Sequence, residues 1–115
     1  AFGSYWPVAP LDPLMGMYAA VTRRDTAGDP PGGWNRQERI TAEEALRAYT
    51  VGAAYAENME NKKGSLKVGK LADIIILDRN ILEIPPQEIL QAKVVYTFLG
   101  GELVYSGKEQ ENAPE

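Results

Sequence analysis

The chain has 115 residues, 44% of them hydrophobic, and a formal net charge of −4, which bounds it to one domain with a modest core. No basic cluster exceeds Arg23-Arg24 or Lys62-Lys63, and no apolar run nears the ~20 residues of a membrane span, so a nucleic-acid partner and a membrane-spanning helix are both excluded. Cysteine and histidine are both absent, which excludes disulfides, thiolate metal sites and any Ser-His-Asp or Cys-His nucleophile within the chain, and leaves only carboxylates as zinc ligands.

The chain opens on Ala1-Phe2-Gly3-Ser4, which lacks the basic and apolar regions of a signal peptide. The missing initiator Met suggests a processed or cleaved product, and the absence of cysteine fits a reducing, cytoplasmic location. Residues 1–8 read as the end of a strand that turns at Trp6-Pro7.

Leu11, Leu14, Met15, Tyr18 and Val21 then recur at helical spacing, with Asp12 as cap and Pro13 in the first helical position. Arg23 and Arg24 follow at the C-terminal end, where cations suit the helix dipole. Residues 25–39 form a polar loop around Asp29-Pro30-Pro31-Gly32-Gly33, and Gly32-Gly33 lacks the flanking pattern of a phosphate cradle.

A single helix is predicted over residues 41–57. Thr41 and Glu44 form a capping box, and Ile40 precedes it as a hydrophobic staple. Ala45, Ala48 and Gly52 give this helix a small-residue side suited to close packing. Glu57, Glu60 and the lysines after them read as a solvated helix end.

Past residue 62 the pattern changes to strands. Leu71–Leu77 contains an apolar run between Asp73 and Asp78 and reads as a buried strand. Pro85-Pro86 closes a connection, and Gln87 to Gln91 reads as one helical turn. Val94–Leu99 and Glu102–Tyr105 form a hairpin across Gly100-Gly101. Asp73 and Asp78 are read as turn and capping residues, and Lys70 as a solvated loop lysine rather than a catalytic amine. The predicted organisation is α+β: residues 1–61 with a strand and helices, residues 62–107 with a small antiparallel sheet, and residues 108–115 as a frayed, polar tail.

Three blocks carry a resemblance: Gly3-Ser4-Tyr5-Trp6-Pro7, Glu43-Glu44-Ala45-Leu46 with Tyr49-Thr50, and Gly64-Ser65-Leu66 through Gly69-Lys70-Leu71-Ala72-Asp73. Together with the hairpin from Val94 to Tyr105 they resemble the C-terminal end of the amidohydrolase superfamily, in the branch of N-acyl-amino-acid deacylases and other amide or imide hydrolases. The resemblance implies the last strand and helices of a TIM-barrel-type hydrolase, followed by a segment of a composite β-sandwich. It implies a metal-dependent hydrolase of non-peptide C–N bonds whose divalent metal, expected to be zinc, is bound by residues outside this chain. No metal ligand and no cofactor are expected within it.

In the family's strand motif an aspartate ligates the metal and handles the proton of the attacking water; here Tyr5 occupies that position. A phenol is a poor general base near neutral pH, so the chain alone is expected to be inactive. Ser4, Tyr5 and Trp6 are the candidate substrate-adjacent residues, and Tyr5-Trp6 also reads as an aromatic pair covering a core edge. The expected partner is the missing N-terminal barrel portion of a parent enzyme, or a second copy of the chain. The alternative reading is a stand-alone, non-catalytic assembly module.

Overall fold

A computed structural model describes residues 1–107; the expected frayed tail, 108–115, lies outside the described residues. The first helix, α1 (Pro13–Thr22), starts as its sequence dictates. Asp12 accepts a hydrogen bond from the Leu14 amide at 2.9 Å, and Pro13 takes a helical position that has no amide to satisfy. Its end is set by Arg23, whose left-handed backbone (φ 57°) lets its amide reach the Ala19 carbonyl at 2.8 Å.

The single helix expected over 41–57 is two helices. The capping box forms: the Thr41 hydroxyl accepts from the Glu44 amide, and the Glu44 carboxylate accepts from the Thr41 amide at 2.8 Å. Helix α2 (Ala42–Tyr49) then breaks at Thr50, and α3 (Val51–Ala56) resumes. The Thr50 hydroxyl donates back to the Leu46 carbonyl at 2.8 Å, a bond that bends helices, and the Thr50 backbone leaves the helical region (φ −109°, ψ −87°). Asn58, in left-handed backbone, closes α3 with paired bonds from its own amide to Tyr55 and from Met59 to Ala54.

The strands stand close to where the pattern puts them: β1 (Ile74–Leu77), β2 (Val94–Leu99) and β3 (Glu102–Ser106) form an antiparallel sheet in the order β1-β2-β3. Gly100 and Gly101 both take positive φ (59° and 89°), which a two-residue hairpin of this hand requires. Residues 1–5 form no strand, contrary to expectation. A strand needs a neighbour for its amides and carbonyls, and the segment's bond to the helices runs from the Phe2 amide to the Ala48 carbonyl at 2.9 Å.

The core belongs to the helices, not to the sheet. Leu14, Met17 and Tyr18 of α1 pack against Ala45 of α2 and against Ile81, Ile89 and Ala92 from the connection between β1 and β2. That connection carries the 3-10 turn Pro86–Gln91, which delivers Ile89 to α1. The buried set thus draws on both sides of residue 62. Gly16 lets α1 approach α2, because a Cβ there would fall 1.9 Å from the Tyr49 hydroxyl. The sheet joins this layer through Leu77 at its edge. Ile75 and Ile76 are successive residues, so they point to opposite faces of β1, yet both are exposed. Both faces of that strand are therefore partly open, and among the described residues no helix covers the sheet extensively.

This distribution predicts unequal effects of equal truncations. Ile89→Ala is expected to lower unfolding stability by about 2–5 kcal/mol, the range for a fully buried aliphatic. Ile75→Ala is expected to lower it by less than about 1 kcal/mol. Urea denaturation of the two variants checks the contrast; similar losses would mean that the sheet is as well packed as the helices.

Candidate functional site

Ser4, Tyr5 and Trp6 lie on the loop between the N-terminal segment and α1. Ser4 Oγ donates to the Leu11 carbonyl at 3.3 Å, and the Val8 amide donates to the Tyr5 carbonyl at 3.0 Å. Tyr5 is held at φ 52°, a region bulky residues rarely occupy. Its side chain is 81% exposed and that of Trp6 is 66% exposed, so neither covers a core edge within this chain. The loop brings the three residues together, but they line neither the groove along residues 44–60 nor that along residues 31–37.

One groove, of about 460 Å³, runs along α2 and α3 and is lined by Glu44, Arg47, Ala48, Val51, Gly52, Tyr55 and Glu60. The other, of about 280 Å³, lies in the loop at Pro31, Gly32, Gly33, Asn35, Arg36 and Gln37. That loop is well tied. Asp25 accepts from the Ala27 and Asp29 amides, and Arg23 lies 5.0 Å over the Trp34 ring while donating to its carbonyl. Among the described residues no three of His, Cys, Asp and Glu converge as metal ligands would.

Asp73 and Asp78 are structural. Asp73 Oδ1 accepts from the Gly100 amide at 2.9 Å and braces the hairpin turn. Asp78 Oδ1 accepts from the Lys93 amide at 2.9 Å and from Arg79, closing the other end of β1. The hydrogen bond from Arg79 and then that from the Lys93 amide hold the Asp78 carboxyl below the ordinary carboxylate range. Glu44 is lowered likewise, first by the Thr41 amide of the capping box. Burial, and then the nearby charge of Asp12, push the Tyr49 phenol up, so it stays neutral.

Lys70 departs from expectation. It is not a solvated loop lysine: its partly buried Nζ donates to the Glu60 carbonyl and to Ser65 Oγ at 2.7 Å, cross-linking the segment that leads from α3 to the sheet. Gly64 makes the same segment possible; a Cβ there would meet Ala54 Cβ at 2.6 Å. The helix end before it is partly as expected, with Glu57 and Lys63 in an exposed ion pair at 2.7 Å.

The order of these pieces (capped helices, glycine-tied connection, three-stranded sheet) is shared with known proteins. Residues 1–105 match the sequence profile of the amidohydrolase family. The chain belongs to the amidohydrolase family. It is 39% identical over 105 residues to the Arabidopsis thaliana protein LONG AFTER FAR-RED 3, covering 91% of this chain and 18% of that protein. It is 34% identical over 99 residues to the N-substituted formamide deformylase of Arthrobacter pascens, covering 86% of this chain and 18% of that enzyme. The fold is that of part of an amidohydrolase from Thermotoga maritima, with a TM-score of 0.60 at 19% identity over 88% of this chain and 21% of that one. The chain thus spans about a fifth of the length of the relatives it matches. No helix among the described residues is long and apolar enough to cross a membrane.

Lys70→Met removes the donor from the Glu60 carbonyl and Ser65 Oγ, and from the Lys63 carbonyl at 3.5 Å. It is expected to lower stability by about 1–3 kcal/mol and to raise amide hydrogen exchange between residues 60 and 70 before the rest of the chain. Unchanged protection in that segment would show that Lys70 holds nothing in place.

Proposed function

We propose that this chain is the C-terminal portion of a metal-dependent amidohydrolase that hydrolyses a non-peptide amide or imide C–N bond, and that it does no chemistry alone. The observation that carries this reading is the match of residues 1–105 to the family in a chain without a single histidine. The named activity of the Arthrobacter pascens relative, deformylation of N-substituted formamides, is itself cleavage of a C–N bond.

The residues present do not fit a catalytic zinc. Its usual nitrogen and sulfur ligands are missing from the sequence, and Tyr5 stands where the family's aspartate is expected. In the proposed parent a metal would be held by residues of the remainder of the barrel, where it would supply Lewis-acid chemistry. What this chain supplies is scaffold and one wall: Ser4, Tyr5 and Trp6 beside the substrate, and helices α1 and α2 behind them. The open sheet belongs against the parent's N-terminal residues in a shared sandwich, inside the cytoplasm.

A second reading has one observation in its favour. The exposed isoleucines on both faces of β1 also suit a free-standing module that associates with a second copy. Any such chain would lack the carboxylate general base and remain non-catalytic.

The test compares the isolated chain with the intact parent. The purified chain is expected to hold no stoichiometric zinc and to leave N-acyl amino acids and N-substituted formamides uncleaved. Tyr5→Asp in the intact parent is expected to raise its rate by at least ~100-fold, the lower bound for a positioned general base. Zinc-dependent hydrolysis by the isolated chain, or a parent indifferent to Tyr5→Asp, would defeat the proposal.

A further inference from the structure

The loop that carries Ser4, Tyr5 and Trp6 is held at both ends by one side chain. Just before the loop, the Phe2 ring meets the Tyr49 ring edge-on, with centroids 5.4 Å apart and planes at 74°. The Phe2 amide also donates to the carbonyl of Ala48, the residue beside Tyr49, at 2.9 Å. Just after the loop, Gly16 of α1 lies against the tip of the same side chain. A Cβ at Gly16 would fall 1.9 Å from the Tyr49 hydroxyl and 3.0 Å from its Cζ. The charge of Asp12, which caps α1, is felt at the phenol. Tyr49 is half-buried and packs against the core shared by α1 and α2.

The loop's own bonds, from Ser4 to Leu11 and from Val8 to Tyr5, set its shape but not its place on the helices. Its place follows from its ends. Left-handed backbone at a residue such as Tyr5 persists only where the surroundings over-determine it, and fixed ends are part of that determination. The Tyr49 hydroxyl has no hydrogen-bond partner among the described residues, so it acts through its size. We infer that Tyr49 is the positioning residue of the candidate site: it clamps both ends of loop 3–12 and so fixes where Ser4, Tyr5 and Trp6 stand. The clamp is a property of this chain; only its consequence for rate rests on the proposed amidohydrolase reading. A misplacement of about 1 Å can cost a reaction about 100-fold, so a side chain remote from the substrate can govern turnover.

Backbone order parameters from NMR test the clamp in the chain itself. Tyr49→Leu, which shortens the side chain at both contacts, is expected to drop the amides of residues 4–8 from about 0.85 to below about 0.6, while the β2–β3 hairpin stays near 0.85. Gly16→Ala is expected to loosen the same amides. Adding Tyr49→Phe to Gly16→Ala is expected to restore them, because it removes the oxygen that the new methyl strikes. A loop as ordered in Tyr49→Leu as in the native chain would overturn the inference. So would a loop that loosens only in step with the hairpin, or a double variant no better ordered than Gly16→Ala. In the intact parent, Gly16→Ala is expected to lower kcat at least ~10-fold with KM within about twofold, and Tyr49→Phe to restore it. A raised KM with kcat unchanged would contradict positioning. A parent that cleaves no C–N bond would sink the amidohydrolase reading and leave the clamp to be decided by the order parameters.

Discussion

Ile89 and Ala45, both with no exposed surface, mark the contact on which the rest of the structure depends. Ile89 arrives on a short 3-10 turn late in the chain, and Ala45 sits on the capped helix in its middle; α1 lies against both. This is the contact that joins helices to sheet, because the turn bearing Ile89 is also the connection between β1 and β2. Ile81 and Ala92 of the same connection, Leu77 and the Lys70 cross-link are the other ties between the sheet and the helices. The residues nearest the proposed chemistry stand on this same layer, since α1 carries loop 4–11 at its start.

The remaining surface follows from how little the core covers. A single helical layer buries its own apolar stripe and leaves two other apolar surfaces open, the sheet and the N-terminal loop. Monomeric proteins seldom leave such patches unused. The two patches differ in kind. The sheet exposes the aliphatic side chains of Ile75, Ile76, Leu103 and Val104 on antiparallel strands, a geometry that packs against another sheet. The loop turns the Tyr5 and Trp6 rings outward, with Tyr5 in left-handed backbone.

Much of the architecture was legible because its signals are local. A capping box, a proline at a helix start, an apolar run between aspartates and a pair of glycines each act within a few residues, so α1, the start of α2, β1 and the β2–β3 hairpin could be read directly. What escaped depends on groups distant in sequence or absent. The break at Thr50 arises from a hydroxyl competing for a backbone carbonyl. The role of Lys70 depends on the Glu60 carbonyl, which has no sequence signature. The Ile89 turn packs onto α1, more than sixty residues earlier in the chain. The N-terminal strand fails to form because strand propensity is not enough without a neighbour to pair with. The candidate site divides in the same way: the motif around Ser4, Tyr5 and Trp6 marked the position, whereas the exposure of Val8 and Leu11 beside it required the structure.

The central claim is that this chain is one part of a larger amidohydrolase, and the most direct test is the intact mass of the protein expressed from its native gene. The account predicts a single polypeptide several-fold heavier than 12.6 kDa. A native product close to 12.6 kDa would contradict it and turn the search from catalysis to the partner that covers the sheet.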